Sequence, residues 1–199
     1  MPWPTWILQG FEAIPGGVDQ AADESLLYGP YNNLLFHLFP PQEGYIIAPQ
    51  YRQPPEKWSI DFAIVFVVQR ENRPIFFLEI KPGPYLRTDY SRANADRQMR
   101  ECFLDLHGFV PALRYFYGIS ALGTRLSLYI YDVATRELIP HRIEAHSTRL
   151  NDLAPADRWN INLLSEEGVA RVTALAEEIK QMVVALCTCS SMVGRRDCY

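Results

Sequence analysis

Three charged residues stand inside apolar stretches of this chain, where ionised side chains are rare. Asp61 lies in the apolar run 60–65, and Glu79 and Lys81 lie at the end of the run 76–81. Burying an unpaired carboxylate is costly, so carboxylates in such places are normally paired with a cation or bound to a metal. These three residues are therefore the first candidates for chemistry.

The two apolar runs are expected to bring these residues together. The polar residues 69–73 separate them and predict a turn, so the runs should form an antiparallel hairpin. With the turn centred near residue 71, Asp61 would lie opposite Lys81. Glu79 would then be its diagonal neighbour on the same face, because positions two apart in a strand share a face. A register slip of one residue would destroy this arrangement.

Two carboxylates and a lysine on one sheet face predict a site for Mg²⁺ or Mn²⁺. Mg²⁺ prefers a few carboxylate oxygens and fills its other positions with water or substrate phosphates. Such an ion would polarise a phosphodiester, and Lys81 would orient the attacking water or stabilise charge on the phosphate. The alternative is structural: Asp61 and Lys81 would form an ion pair at a strand end.

Asp61, a gap of 17 residues and then Glu79-Ile80-Lys81 resemble the motif of the PD-(D/E)XK, or restriction-endonuclease-like, nuclease superfamily. The order of elements over residues 21–133 is similar to that family's core. The resemblance implies that Asp61 and Glu79 hold a divalent ion and that Lys81 serves the nucleophilic water. It also implies that Glu24 is an auxiliary metal ligand and that Gln98 is a catalytic positioning group.

The chain departs from the family pattern at two positions. Ile60 stands where Pro commonly precedes the aspartate, and Cys102 stands where exonuclease branches often carry Tyr. The whole chain is similar to uncharacterised fungal proteins of this superfamily. Two functions follow as alternatives: a Mg²⁺-dependent nuclease acting on DNA or RNA, or a catalytically inactive module of the same fold that binds a partner.

The helix after the motif is rich in arginine and is a candidate nucleic-acid contact. Its arginines are Arg92, Arg97 and Arg100. The arginine fork suits bidentate phosphate binding. The alternative is a solvated helix face with local ion pairs. Aromatic residues near the motif are candidates for base stacking: Trp58, Tyr85 and Tyr90.

Composition limits the class of protein. The 199 residues are 48% hydrophobic and 21% charged, as in globular domains, and no run is apolar enough to span a membrane. The net charge of −4 argues against a protein that coats nucleic acid, and the acidic segment from residue 166 to 178 suits a protein partner. Four cysteines without a visible secretory signal favour an intracellular, cytoplasmic or nuclear, protein with reduced thiols.

The pattern of elements predicts a single α/β (α+β) domain with a restriction-endonuclease-like core, a central mixed β-sheet flanked by helices. Residues 1–20 are expected to be irregular. A short helix at 21–28 should be broken or restarted at Gly29-Pro30, and a next helix with Leu34, Leu35 and Leu38 on its apolar face should end at Pro40-Pro41. The remaining expected elements are strands at 45–51, 58–68, 75–81, 113–119 and 126–133, a strand end and loop at 137–159, and helices from residue 88 or 89 to 106 and at 166–186. A C-terminal extension ends in a flexible tail at 188–199.

Overall fold

The computed structural model describes residues 2–49, 65–110 and 112–193. Asp61 lies outside these residues, as do most of the predicted strand at 58–68 and residues 194–199 of the predicted tail. Within the described residues, the helices are α1 Thr5–Glu12, α2 Ser25–Leu38, α3 Asp89–Leu106 and α4 Glu166–Val193. The strands there are β1 Tyr45–Ala48, β2 Val65–Arg70, β3 Arg73–Lys81, β4 Tyr115–Leu122, β5 Arg125–Asp132, β6 Glu137–Ile139 and β7 Ile161–Asn162.

These strands form one mixed sheet, as the sequence predicts. The strand order is β1-β2-β3-β4-β5-β6, and β7 pairs with the beginning of β5. The neighbours β3 and β4 are parallel, whereas the other pairs are antiparallel. Helix α3 makes the crossover that a parallel pair requires. The carboxyl ends of β3 and β4 therefore lie side by side at one edge of the sheet.

The β2–β3 hairpin is antiparallel, as predicted, but its register differs from the prediction. Glu71 and Asn72 form the turn with φ values of 52° and 60°. Positive φ at both central residues is typical of the tight turn whose twist matches that of its strands. A bulge in β3 leaves Ile75 without a partner in β2, because Val68 pairs with Phe76 and Gln69 with Pro74.

The turn centred between Glu71 and Asn72 displaces the pairing by one residue and the bulge displaces it by a second, so Val65 lies opposite Glu79. A turn centred on residue 71 would instead place residue 77 opposite residue 65. The expectation that Asp61 faces Lys81 assumed this centre. In the described part of the hairpin, each residue before the bulge pairs with a residue two positions later than expected. A shift of two residues leaves each side chain on its original face. The position of Asp61 itself stays a prediction.

Strand β3 is buried on both faces and divides the core. Phe77 packs with Met99 and Phe103 of α3 on one face. Leu78 and Ile80 belong to the larger cluster on the other face. Helices α1, α2 and α4 contribute to that larger cluster, so the sheet has α3 on one side and the other three helices on the opposite side. By alternation along the strand, Glu79 and Lys81 lie on the α3 side.

Helix α3 matches the prediction in both position and capping. Thr88 Oγ1 accepts a hydrogen bond from the backbone N–H of Ser91 at 3.3 Å. This bond satisfies one of the free N–H groups of the first helical turn. The helix then runs to Leu106, the predicted last residue.

The predicted interruption at Gly29-Pro30 is wrong, because one helix, α2, continues from Ser25 through Pro30 to Leu38. It ends before Pro40-Pro41, as predicted. The preceding residue is Gly29, which has no Cβ to clash with the proline ring. Pro30 is buried, and a Cβ added at Gly10 of α1 would lie 3.5 Å from its ring. Close packing of the two helices thus offsets the hydrogen bond that Pro30 cannot donate.

The irregular lead-in predicted for residues 1–20 is also wrong in part, because residues 5–12 form α1. Trp3, Ile7 and Phe11 recur every four residues and are all buried. This spacing is typical of one helix face. The surrounding Pro and Gly residues obscured a pattern that the sequence does contain.

The C-terminal helix begins at the predicted residue, Glu166, but continues past the predicted end at residue 186 to Val193. Val172, Ile179 and Val183 of α4 are buried in the larger core cluster. The segment predicted as a strand end and loop contains β6, and a short strand, β7, follows it. Over residues 2–49, 65–110 and 112–193, no helix combines the length and apolar character needed to cross a membrane.

Candidate functional site

Glu79 lies near the carboxyl end of β3, between two neighbouring strands. It is opposite Val65 of β2 and beside Ser120 of β4. Its side chain is 0% exposed. Neither carboxylate oxygen accepts a hydrogen bond from any of the described residues. A buried carboxylate in this state is strongly destabilised when ionised, so it is suited to binding a cation.

The electrostatic surroundings of Glu79 reflect this burial. Loss of solvation raises its pKa from the ordinary value of 4.5 to about 8. The positive charge of Lys81 opposes this increase, whereas the negative charges of Glu24 and Glu101 add to it. Without a bound cation, the Glu79 carboxyl is therefore mainly protonated at neutral pH.

Lys81 and Glu24 form an ion pair beside Glu79. Lys81 Nζ lies 3.8 Å from Glu24 Oε2, and the lysine side chain is almost wholly buried. The second Glu24 oxygen, Oε1, accepts a hydrogen bond from the Tyr28 hydroxyl at 2.9 Å. Glu24 immediately precedes α2, and Tyr28 lies one helical turn later. The start of α2 thus places a second carboxylate at the end of β3.

Helix α3 contributes a polar side chain from the same side of the sheet. Gln98 is buried, and its Oε1 atom accepts no hydrogen bond from the described residues. Cys102 lies four positions later, on the same helix face. Burial raises the pKa of the Cys102 thiol, and the negative charge of Glu79 raises it further. Since Glu79 contributes to this shift, α3 and the end of β3 share one electrostatic environment.

Together these residues provide oxygen ligands and a cation. Glu79, Glu24 and Gln98 carry the hard oxygen atoms that Mg²⁺ and Mn²⁺ prefer, and Lys81 carries three N–H donors. The oxygens of Glu79 and Gln98, which have no hydrogen-bond partner within residues 2–49, 65–110 and 112–193, fit such an ion. No group of three or more His, Cys, Asp or Glu residues with metal-site geometry occurs among the described residues. The third predicted carboxylate, Asp61, lies outside that part of the chain.

The predicted nucleic-acid contact Arg92 is buried and bonded within the protein. Its Nε and Nη1 atoms donate to the carbonyl oxygens of Ala154 and Leu86, both at 2.8 Å. Its Nη2 atom contacts Asp89 at 2.6 Å and Asp152 at 2.5 Å. These contacts attach the segment around residue 153 to α3. Arg92 thus has a structural role that the sequence pattern did not indicate.

Arg100 also has partners inside the protein. It forms a two-pronged ion pair with Asp96, and its Nη2 atom donates to the Pro140 carbonyl at 2.8 Å. Asp96 in turn accepts hydrogen bonds from Arg158 and Tyr129, both at 2.8 Å. This buried network joins α3, β5 and the segment after β6. Arg97 differs because it is half exposed and pairs with Glu101 at 2.7 Å.

Sequence reasoning missed one anchor of this site. Asp19, between α1 and α2, accepts hydrogen bonds at Oδ1 from Thr124 N and Thr124 Oγ1, at 3.0 and 2.8 Å. The partners are 105 residues apart, so no local pattern indicates the contact. Tyr28, by contrast, follows Glu24 by four residues in a helix, a spacing that does predict proximity.

Comparisons with protein-family models, with curated proteins and with solved structures gave no match. The function must therefore be inferred from the residues of this chain and their geometry.

Proposed function

We propose that this chain is a divalent-metal-dependent nuclease-like domain that hydrolyses phosphodiester bonds of DNA or RNA. The observation that carries the proposal is Glu79, a wholly buried carboxylate with no hydrogen-bond partner among the described residues, two positions before Lys81. The Asp61…Glu79-Ile80-Lys81 pattern and its resemblance to the PD-(D/E)XK superfamily supply the reaction class.

Glu79 and Glu24 would hold Mg²⁺ or Mn²⁺, and Asp61 is the further ligand expected from the sequence. When bound, the ion supplies Lewis acidity toward phosphate oxygens and lowers the pKa of coordinated water. Glu79 must lose its proton to bind the ion, and its pKa in the absence of the ion is about 8. Metal binding should therefore strengthen as the pH rises toward 8, because ligand carboxyls bind metal in their ionised form.

The other side chains would orient the reactants. Lys81 lies 3.8 Å from Glu24, and among the described residues this contact is too long to occupy an ammonium hydrogen, so Lys81 would offer its hydrogens to the attacking water or to a phosphate oxygen. Gln98 would direct its free amide oxygen into the site from α3. Interactions with developing phosphate charge gain strength in such a buried, low-dielectric position.

The test is a cleavage assay on single- and double-stranded DNA and RNA with Mg²⁺, Mn²⁺ or a chelator. We expect cleavage that requires the metal and falls about a hundredfold or more in Glu79→Gln and Asp61→Asn. Glu167→Gln is the matched control, because Glu167 is an exposed glutamate in the first turn of α4. Cleavage that survives both site substitutions in folded protein would rule out the assignment.

The alternative function is a catalytically inactive module of the same architecture that binds a partner. It is favoured by the internal bonding of Arg92 and Arg100, which leaves α3 with fewer arginine donors for phosphate. A Mn²⁺ titration followed by electron paramagnetic resonance separates the two functions. Absence of binding at millimolar Mn²⁺, together with absence of cleavage, would support the inactive module.

A further inference from the structure

The connection between α1 and α2, residues 13–24, is attached to the carboxyl ends of β3 and β4. Asp19 Oδ1 accepts two hydrogen bonds from Thr124, in the turn that follows β4. The neighbouring Gln20 accepts a hydrogen bond from Arg87, in the turn after β3. The connection is thus bonded to the segments that follow both parallel strands.

Two glycines allow the connection to approach this closely. A Cβ at Gly83 would lie 2.5 Å from the Asp19 carbonyl oxygen and 2.6 Å from its Cα atom. A Cβ at Gly123 would lie 2.7 Å from Asp19 Oδ1, and Gly123 has a φ of 63°. Such separations are shorter than any side chain tolerates, so the contact depends on glycine at both positions.

The same turn is bonded to the site residues. The Gly123 N–H donates to the carbonyl oxygen of Lys81 at 3.0 Å. The Gly123 carbonyl accepts from the buried Tyr31 hydroxyl of α2 at 2.6 Å. Glu24 follows Asp19 by five residues and contacts Lys81 Nζ. Asp19 therefore contacts Gly123, Gly123 is hydrogen-bonded to Lys81, and Lys81 contacts Glu24.

We propose that Asp19 is a positioning residue that fixes the Glu24 carboxylate against Lys81. Its hydrogen bonds to Thr124 hold the connection, and the connection sets where α2 begins. The consequence for catalysis rests on the proposed function, whereas the consequence for the Glu24–Lys81 contact does not. We expect Asp19 to act mainly through its acceptor oxygen, because both donors that contact it among the described residues belong to the neutral Thr124.

The Lys81 side chain gives a readout that is independent of activity. The chain has only three lysines, Lys57, Lys81 and Lys180, so a carbon–proton spectrum of ¹³C-lysine protein contains three ε-methylene signals. The spectrum of Lys81→Arg identifies the Lys81 signal. Glu24→Gln should then shift it, because the substitution removes the charge that lies 3.8 Å from Nζ.

We expect Asp19→Ala to shift the Lys81 signal in the same direction as Glu24→Gln. Asp19→Asn should leave it in place, since the amide oxygen still accepts from Thr124. Thr124→Val removes only the hydroxyl donor and should give a smaller shift of the same sign, which provides a second variant if Asp19→Ala folds poorly. Asp132→Ala is the matched control, because Asp132 accepts two backbone N–H bonds in the turn after β5.

A Lys81 signal that moves in Glu24→Gln but not in Asp19→Ala or Thr124→Val would overturn the proposal. An equal shift in Asp19→Asn and Asp19→Ala would overturn the hydrogen-bond role. If the chain cleaves nucleic acid, Asp19→Ala should also raise the Mg²⁺ concentration for half-maximal cleavage about tenfold, as outer-shell substitutions do at metal sites. Unchanged metal dependence in an active enzyme would contradict the catalytic consequence, whereas an inactive wild type would contradict the proposed function alone.

Discussion

Burial of Glu79 raises its pKa, and this pKa shift makes the stability of the protein depend on pH. An ionised carboxylate without a hydrogen-bond partner is unfavourable in the core, so the folded protein holds the Glu79 proton more tightly than the unfolded chain does. Its pKa rises from 4.5 to about 8 on folding. Between these pH values, the folded state binds more protons than the unfolded state.

In metal-free buffer, this difference predicts that the free energy of unfolding falls as the pH rises from 4.5 to 8. The Glu79 contribution to the slope is at most about 1.4 kcal/mol per pH unit. Glu79→Gln cannot titrate, so the variant should lose this part of the slope and gain stability relative to wild type as the pH rises. Urea unfolding across the pH window measures the effect.

Glu167→Gln serves as the control for the loss of one carboxylate, because Glu167 is exposed. Its stability should follow that of the wild type with pH. Parallel curves for Glu79→Gln and the wild type would show that Glu79 has an ordinary pKa and is not confined as the structure indicates.

At the scale of elements, the parallel pair β3 and β4 depends on tight packing beneath α3. A Cβ at Gly118 of β4 would lie 2.7 and 2.8 Å from the Phe77 ring and 2.9 Å from Met99 Cε. The Phe77 ring is itself packed against Phe103, with the ring centroids 4.7 Å apart. Glycine at this position lets the side chains of β3 and α3 meet over β4.

Gly118→Ala should therefore destabilise the protein by about 1–3 kcal/mol through overpacking. Thermal and urea unfolding measure the loss. Gly108→Ala is the matched control, because a Cβ at Gly108 meets nothing within 4 Å. Its effect should stay within about 0.5 kcal/mol. Equal stability of the two variants would contradict the packing described for the core beneath α3.

The elements that the sequence predicted well are those whose signals are local. Helix α3 has a threonine cap and an apolar face, and β3 is a continuous apolar run of the kind found in a buried central strand. The continuity of α2 through Pro30 was not predictable in this way, because it depends on packing against Gly10 of α1. Of the two-residue register difference in the hairpin, one residue comes from the turn at Glu71 and Asn72 and the other from a bulge that no local pattern marks.

In the candidate site, too, the residues predicted from sequence are those with local signals. Alternation along a strand predicted that Glu79 and Lys81 share a face. The resemblance suggested Glu24, and the structure places that residue at Lys81. The internal partners of Arg92 and the contact between Asp19 and Thr124 join segments roughly 60 and 105 residues apart. Only the fold brings such residues together.

At the scale of the molecule, the beginning of the chain is bonded to its last third. Trp3 is 3% exposed, and its indole N–H donates to the carbonyl oxygen of Leu163 at 2.8 Å. The Leu163 N–H donates to Thr124, the residue that also holds Asp19. These bonds connect residues before α1 with residues between β7 and α4.

Trp3→Phe keeps an aromatic ring in the core but leaves the Leu163 carbonyl without its donor. We expect a loss of about 1–3 kcal/mol in the free energy of unfolding. Trp6→Phe is the matched control, because Trp6 also packs edge-on against His37 but is 49% exposed. Urea unfolding should place Trp6→Phe within about 0.5 kcal/mol of wild type. Equal losses would assign the effect to the ring contacts.

The contact between Asp19 and Thr124 also sets an order of events during synthesis. A ribosome adds about 5–20 residues per second, so Thr124 emerges roughly 5–20 s after Asp19, and Leu163 emerges later than Thr124. Until then, α1 and α2 expose apolar side chains that the finished protein buries against β3 and α4. The candidate site therefore cannot be completed before residue 124 has left the ribosome.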